Sequence, residues 1–142
     1  MTRRNCRIIA FQAMYSQEVG KLDVNTIMNF EWLDESQRNS LDDESRIFIR
    51  LLLNGTIEKC DEIDAMISKH LTNWNIERLN KVDLALLRIS VYPLLYQKDI
   101  APSIIIDEAV DISKKFGSDD SYKFVNGVLD NIRKDIAQNS EM

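Results

Sequence analysis

Apolar residues recur at intervals of three and four positions along most of this sequence, as in Ile105, Ala109, Ile112 and Phe116. Side chains at these intervals lie on one face of an α-helix, and that face is buried against the rest of the protein. Four glycines and two prolines in 142 residues provide few of the turns that a β fold requires. We therefore predict an all-α fold in a single domain.

Seven helices are predicted from the apolar stripes and from the residues that begin or end them. Asn54-Gly55 is expected to separate two helices, and the polar segment from Asp34 to Ser40 is expected to be a loop. Gly117 is expected to end a helix in the left-handed conformation, and Gly127 to let another helix pack on its bare backbone. The predicted helices span 3–19, 24–30, 42–53, 57–70, 76–96, 102–116 and 118–138, of which 76–96 is the most apolar and should be central.

The boundaries of the domain and of two helices follow from polar residues. One domain is expected at residues 1–138, followed by a frayed tail at 139–142. Thr72–Asn75 is expected to be a connector in which Asn75 is the N-cap of the central helix. Ser118 is expected to cap the last helix.

The distribution of charge is more informative than its sum. A net charge of −5 argues against a free-standing nucleic-acid binder, since such proteins usually carry a basic surplus. The acids are concentrated between residues 18 and 64, however, and the only charged side chains before them are Arg3, Arg4 and Arg7. A basic surface can therefore exist if the fold brings the first and last helices together. The alternative is that these arginines are simply a solvated end.

The sequence lacks the motifs of common catalytic and cofactor sites. It contains one histidine, His70, and no glycine-rich phosphate loop, nucleophile elbow or helical zinc motif. Cys6 and Cys60 form no C-x-x-C pair, which favours reduced thiols. No segment has the pattern of a membrane span or a signal peptide. We predict a cytoplasmic binding protein without metal or cofactor, not an enzyme.

Three stretches of the sequence resemble the NusB family of transcription antitermination factors. The first is residues 7–15, RIIAFQAMY, and the second lies between Trp74 and Tyr96. The strongest match is IDEAV at 106–110 followed by KKFGSDDSYKFVNGVLD at 114–130. These runs occur in the family's order and at its spacings.

The resemblance implies a fold of about seven helices in two packed helical bundles, with no catalysis and no cofactor. It implies binding of the boxA segment of nascent ribosomal RNA together with NusE, a small-subunit ribosomal protein. That complex would promote processive elongation by RNA polymerase. The residues implied for RNA binding are Arg3, Arg4, Arg7, Ser121, Tyr122, Lys123 and Phe124. The residues implied for NusE binding are Tyr15, Glu77, Arg78 and Asp83.

The chemistry of these residues suits the implied roles, although alternatives stay open. Guanidinium groups suit phosphates, and aromatic rings with nearby donors suit unstacked bases. Phe124 also begins the apolar stripe of the last helix, so a core position is the alternative for it. Two other functions are an RNA-binding module attached to an RNA cytosine methyltransferase, and an adaptor that binds only proteins. The first lacks support because the chain has no glycine-rich cofactor motif and no spare catalytic cysteine.

Overall fold

The computed structural model describes residues 1–72 and 75–140, the side chain of Ser140 excepted. Within those ranges all regular structure is helical, which confirms the all-α prediction. Asn73 and Trp74 of the predicted connector lie outside the described residues. The helices are α1 (Arg3–Gly20), α2 (Val24–Met28), α3 (Glu35–Asn39), α4 (Asp43–Glu58), α5 (Cys60–Lys69), α6 (Lys81–Tyr96), α7 (Pro102–Phe116) and α8 (Ser121–Ser140), with a 3-10 turn at Ile76–Arg78.

Helix α6 is at the centre of the fold, as its apolar sequence predicts. It contacts α1, α4, α5, α7 and α8. Helices α1, α4 and α6 contact one another, and so do α6, α7 and α8, so two helical groups share α6. Its buried side chains come from all around the helix and include Leu86, Leu87 and Val91. The predicted two packed bundles are therefore built on one common helix.

Helix α6 begins five residues later than predicted, because two asparagines cap two successive elements. Asn75 Oδ1 accepts a hydrogen bond from Arg78 N at 3.1 Å and begins the 3-10 turn. Leu79 is extended, and Asn80 Oδ1 then accepts from Val82 N at 2.8 Å. Such side-chain caps satisfy amide groups that the first turn leaves without partners. The result is a bend immediately before α6, where several candidate site residues lie.

The predicted loop from Asp34 to Ser40 contains the short helix α3. Asp34 Oδ1 accepts from Gln37 N at 2.7 Å, and the Gln37 side chain accepts from Asp34 N at 3.3 Å. This reciprocal capping box stabilises one turn without any apolar stripe. It accounts for an eighth α-helix where seven were predicted.

The predicted break at Asn54-Gly55 is wrong, since α4 continues through it to Glu58. A Cβ added at Gly55 would lie 2.1 Å from Cζ of Tyr92. Gly55 is therefore required for the close approach of α4 to α6 and does not end a helix.

Three expectations around α8 are also wrong. Gly117 has φ −91° and ψ −176°, so its backbone is extended and not left-handed. Helix α8 begins at Ser121, so the residue at its N-cap position is Asp120 and not Ser118. Gly127 is exposed, with nothing within 4 Å of an added Cβ. A glycine at 117 is needed because a Cβ would lie 2.6 Å from Ser121 Cβ and 2.8 Å from Ser113 O.

Helix α8 extends to Ser140. The domain end at residue 138 and the frayed tail at 139–142 stay predictions, and residues 141–142 lie outside the described residues.

Cys6 is buried, Cys60 is half-buried, and both are free thiols. None of the described helices is long and apolar enough to cross a membrane.

Candidate nucleic-acid and partner interface

The N-terminal arginines are held against helix α4 on one side. Arg3 Nη2 lies 3.0 Å from Glu44 Oε1. The guanidinium carbons of Arg3 and Arg7 lie 4.3 Å and 5.4 Å from the centroid of the Phe48 ring. Stacking on an aromatic ring and pairing with a carboxylate both restrict an arginine side chain. The arm is therefore a folded part of α1 and not a loose end.

On its other side the arginine arm is paired with acids of helix α7. Arg4 Nη2 lies 2.7 Å from Asp111 Oδ2, and Arg7 pairs with Glu108. Glu108, Asp111 and Lys114 follow one another at intervals of three, so they lie along one ridge of α7. The first two hold the arm, and the third reaches the corner between α7 and α8.

That corner is built by serine hydroxyls after Gly117. Ser118 N donates to Ser121 Oγ at 3.0 Å, and the two hydroxyl oxygens are 3.1 Å apart. Ser121 is buried. Its hydroxyl therefore stabilises the corner from within, whereas the sequence predicted that it would be a donor to RNA.

A basic-aromatic patch, made of Lys114, Tyr122 and Lys123, covers the outside of the corner. The Nζ atoms of Lys114 and Lys123 lie 5.2 Å and 5.8 Å from the centroid of the Tyr122 ring. Lys123 is exposed and Tyr122 is half-buried. An aromatic ring between two ammonium groups offers a stacking surface for a base and two charges for phosphates. Lys114 was not among the predicted site residues, although its spacing from Glu108 and Asp111 indicates this position.

Phe124 lies between the apolar core and a surface pocket. Its side chain is half-buried and packs against the core, so the core interpretation is partly met. It also lines a pocket of about 190 Å³ together with Arg78, Leu79, Asn80 and Asp83. This pocket brings together residues that the sequence had assigned to RNA binding and to partner binding. Leu79 and Asn80 were not predicted as site residues.

Asp83 is the buried member of this pocket. Only 8% of it is exposed, and its Oδ1 atom has no hydrogen-bond partner in the part of the chain that the structure describes. Burial raises the pKa of the Asp83 carboxyl above its usual value, and the Ser121 hydroxyl offsets part of that effect. The carboxyl of Asp83, a residue implied for partner binding, is therefore reached only by a group that enters the pocket.

Tyr15 continues this surface across α1 and α6. It is 36% exposed and borders a pocket of about 200 Å³ with Val82 and Phe116. It also borders a depression of about 310 Å³ with Trp32 and Gln37. Val82 and Asp83, which are consecutive in α6, line the pocket beside Tyr15 and the pocket beneath Phe124, respectively. Glu77 and Arg78 are exposed, and Arg78 also lines the pocket beneath Phe124.

In the part of the chain that the structure describes, the remaining titratable groups form no metal site. His70 Nε2 lies 3.0 Å from Asp135 Oδ2, and hydrogen bonds from Lys69 and His70 lower the pKa of Asp135. No cluster of three metal-ligating side chains occurs among the described residues. His70 is therefore explained by its contact with Asp135.

Comparisons with known proteins agree with this arrangement. The model of the NusB family matches residues 4–134. Transcription antitermination protein NusB of Treponema denticola is 50% identical over 131 residues, which is 92% of this chain and 95% of that protein. These names describe a transcription factor and not an enzyme. Because the match covers nearly all of the relative, the relative carries no methyltransferase domain.

Solved structures share the fold over more than nine-tenths of the chain. NusB of T. maritima superposes with a TM-score of 0.85 at 38% identity, over 94% of this chain and 92% of that one. A structure described as antitermination factors NusB and NusE in complex with dsRNA gives 0.81 at 29% identity, over 94% and 98%. The sequence match and the shared fold lead to one conclusion: this chain belongs to the NusB family.

Proposed function

We propose that the protein is a cytoplasmic transcription antitermination factor that binds boxA-type single-stranded RNA together with NusE and promotes processive elongation by RNA polymerase. Family membership supports this role, since the relatives carry that name. A structural neighbour contains a NusB protein with NusE and RNA. The transfer of that assembly to this chain is our proposal.

The observation that carries the proposal is the ridge of α7. It places Glu108 and Asp111, which hold the arginine arm, in line with Lys114 of the basic-aromatic patch. Phosphates spaced along a single strand can contact such a line of cations while bases stack on Tyr122. The RNA-binding residues proposed are Arg3, Arg4, Arg7, Tyr122, Lys123 and Phe124, with Ser121 as the residue that shapes the corner.

The residues proposed for the NusE surface are Tyr15, Glu77, Arg78 and Asp83. Three of them, Tyr15, Arg78 and Asp83, line open depressions. Acidic groups among these residues suit a basic ribosomal protein. RNA and partner would then bind to adjoining parts of one face.

A gel-shift titration tests the proposal. A boxA oligonucleotide and a scrambled one of equal length are titrated with and without NusE. We expect a preference for boxA that is stronger with NusE. Arg4→Gln should weaken binding of the RNA several-fold. Arg50→Gln makes an equal charge change on α4 and should have a smaller effect, because Arg50 belongs neither to the arginine arm nor to the ridge of α7.

The adaptor alternative predicts a different pattern. Binding that stays indifferent to the boxA sequence even with NusE present would contradict the RNA role and favour a protein that binds only proteins. Failure of NusE to bind at all would contradict the partner role.

A further inference from the structure

Gly127 leaves the backbone of α8 bare on an exposed side of the helix. A Cβ added there would meet no atom of the described residues within 4 Å. Glycine inside a helix costs about 1 kcal/mol relative to alanine, so a helix that carries one is less stable than it could be. Glycine also allows the backbone of a ligand to approach closely. The surface around Gly127 is therefore a candidate for binding a second molecule.

The exposed residues in line with Gly127 carry ammonium and amide groups. Positions three or four residues apart share one face of a helix. On this face of α8 they form a row, which we call the α8 stripe: Lys123, Gly127, Asn131, Lys134 and Gln138, all of them exposed. Because Lys123 belongs to the basic-aromatic patch, the stripe continues that patch toward the end of α8. At a rise of about 1.5 Å per residue, Lys123 and Lys134 are about 16 Å apart along the helix axis.

The stripe reaches an open depression between α8 and the end of α5. Its volume is about 390 Å³. Its lining side chains are charged or polar: Lys69, His70, Asn131, Lys134, Asp135 and Gln138. Ammonium groups suit phosphate oxygens, and amide groups can donate to phosphates and to ribose hydroxyls. The depression therefore offers partners for the backbone of a nucleic-acid strand.

Two acids lie beside the stripe, and each is bound by basic side chains. Asp130 Oδ1 lies 2.7 Å from Arg133 Nη2, and Asp130 Oδ2 lies 3.2 Å from Lys134 Nζ. Asp135 Oδ2 lies 2.8 Å from Lys69 Nζ. An ammonium group has three donors, so each lysine can bind a phosphate while it keeps its acid. The three cations also outnumber the two acids, which leaves the surface attractive to an anion.

These features fit a single RNA strand better than they fit the protein partner. Lysines attract phosphates and repel a basic ribosomal protein. We propose that RNA flanking the boxA segment follows the α8 stripe, with its sugar–phosphate backbone over Gly127 and its phosphates at Lys134 and Lys69. The inference rests on the proposed RNA binding and extends that site along α8. Because these contacts are to the backbone of the RNA, the affinity they add does not depend on the flanking sequence.

Fluorescence anisotropy in the presence of NusE tests this path. The probes are the boxA segment alone, called the short probe, and boxA extended by about eight nucleotides at its 5′ or its 3′ end. One extended probe should bind at least about threefold more tightly than the short probe, and scrambling the extension should keep that gain. Equal affinity for the short and extended probes overturns the proposal.

Lysine variants show whether the gain comes from the stripe. Lys69→Gln with Lys134→Gln should remove most of the gain and change the affinity for the short probe by less than about twofold. The matched control is Lys98→Gln with Arg133→Gln. It also removes two cations, but these line a separate depression formed with α6 and α7, so the gain should be kept. Equal losses in both double variants would mean that overall charge sets the affinity, and would overturn the proposal.

Gly127→Gln tests the close approach of the RNA backbone. The new side chain has open space in the protein alone, so the fold is kept, and circular dichroism of each variant checks this. The gain from the extension should fall by about threefold or more, because the side chain occupies the path of the strand. Ala137→Gln adds a similar side chain to α8 beside the separate depression and should leave the gain unchanged. A gain that survives Gly127→Gln in full overturns the proposed path.

Other outcomes separate this inference from the proposed function. If boxA is preferred in the presence of NusE but neither extension adds affinity, the path along α8 is wrong and the proposed function stands. If the double lysine variant weakens binding of NusE without RNA, the stripe contacts the protein partner and the proposal is overturned. If the short probe does not bind even with NusE, the proposed function and this inference both fail.

Discussion

At the scale of single residues, two glycines within helices have opposite surroundings. Gly55 faces the Tyr92 ring so closely that a Cβ would lie 2.1 Å from Cζ, whereas an added Cβ at Gly127 meets nothing within 4 Å. The sequence predicted a helix break at the first and close packing at the second, and both predictions are wrong. The sequence shows that a glycine lies within a helix. Whether a larger side chain would fit at that position depends on a neighbour from another element.

Gly55→Ala should lower the free energy of unfolding by about 2 kcal/mol, because the added methyl group overpacks the contact between α4 and Tyr92. Urea denaturation followed by circular dichroism measures the change. Tyr92→Leu removes the ring, so Gly55→Ala made in that background should cost little or be stabilising. Equal destabilisation in both backgrounds would contradict the steric explanation.

Gly127→Ala should instead raise the free energy of unfolding of the isolated protein by up to about 1 kcal/mol, since alanine restricts the unfolded chain and the site has room for its methyl group. The same urea titration measures it. A loss of stability would mean that the backbone at 127 is closely approached after all.

At the scale of elements, local signals in the sequence were sufficient for most helices and insufficient for their contacts. The stripes of α1 and α7 predicted those helices within a residue or so. Helix α3 escaped because its capping box lies in a polar segment without a stripe. The residues of the corner after Gly117 are consecutive in the sequence and could be predicted together. The pairing of Arg7 with Glu108, 101 positions away, could not be predicted from the sequence. Periodicity shows which face of a helix is buried, but not which helices meet.

Three helices are joined by the half-buried guanidinium of Arg88. Its Nε lies 2.9 Å from Asp64 Oδ1 on α5, and its Nη1 lies 3.2 Å from Glu18 Oε2 on α1. Burial alone would raise the pKa of Glu18, but the hydrogen bond and charge of Arg88, with the charge of Lys81, lower it below its usual value. The network therefore fixes α1 and α5 against the central helix.

Arg88→Met should lower the free energy of unfolding at neutral pH by about 3 kcal/mol, because it leaves the partly buried Asp64 carboxylate without its cation and Glu18 with only the longer pair to Lys81. A carboxyl with a lowered pKa stabilises the folded state above its unfolded pKa, and this contribution is lost as pH falls through the folded pKa. The difference between wild type and variant should therefore shrink as pH falls below about 4.5. Urea titrations at several pH values measure it. Arg133→Met, which breaks an exposed pair with Asp130, should cost less than about 1 kcal/mol, and an equal loss would contradict the role of burial.

At the scale of the whole molecule, an acidic protein carries a local basic surface. The net charge is −5, yet the arginine arm and the basic-aromatic patch are aligned by α7. The arm is not free, however, because its three arginines each pair with an acid of α4 or α7. Phosphates must therefore replace these carboxylates, which weakens RNA binding by the protein alone.

The salt dependence of RNA binding measures this competition. Each phosphate contact with single-stranded RNA contributes about −0.7 to the slope of log K against log salt concentration. We expect weak binding by the protein alone, and a slope steeper by about 1 or more when a basic partner is present. Removing two competing acids, by Glu108→Gln with Asp111→Asn, should strengthen binding of the lone protein to boxA RNA.

The control for that double variant is Asp43→Asn with Glu58→Gln, which changes the net charge equally on exposed positions of α4. If competition at the arm limits RNA binding, the first pair of changes should raise affinity more than the control at the same salt concentration. Equal gains from both pairs would mean that overall charge sets the affinity. A larger gain from the first pair would mean that Glu108 and Asp111 compete with RNA phosphates for the arginines of the arm. These two acids would then determine how strongly RNA binding depends on the partner.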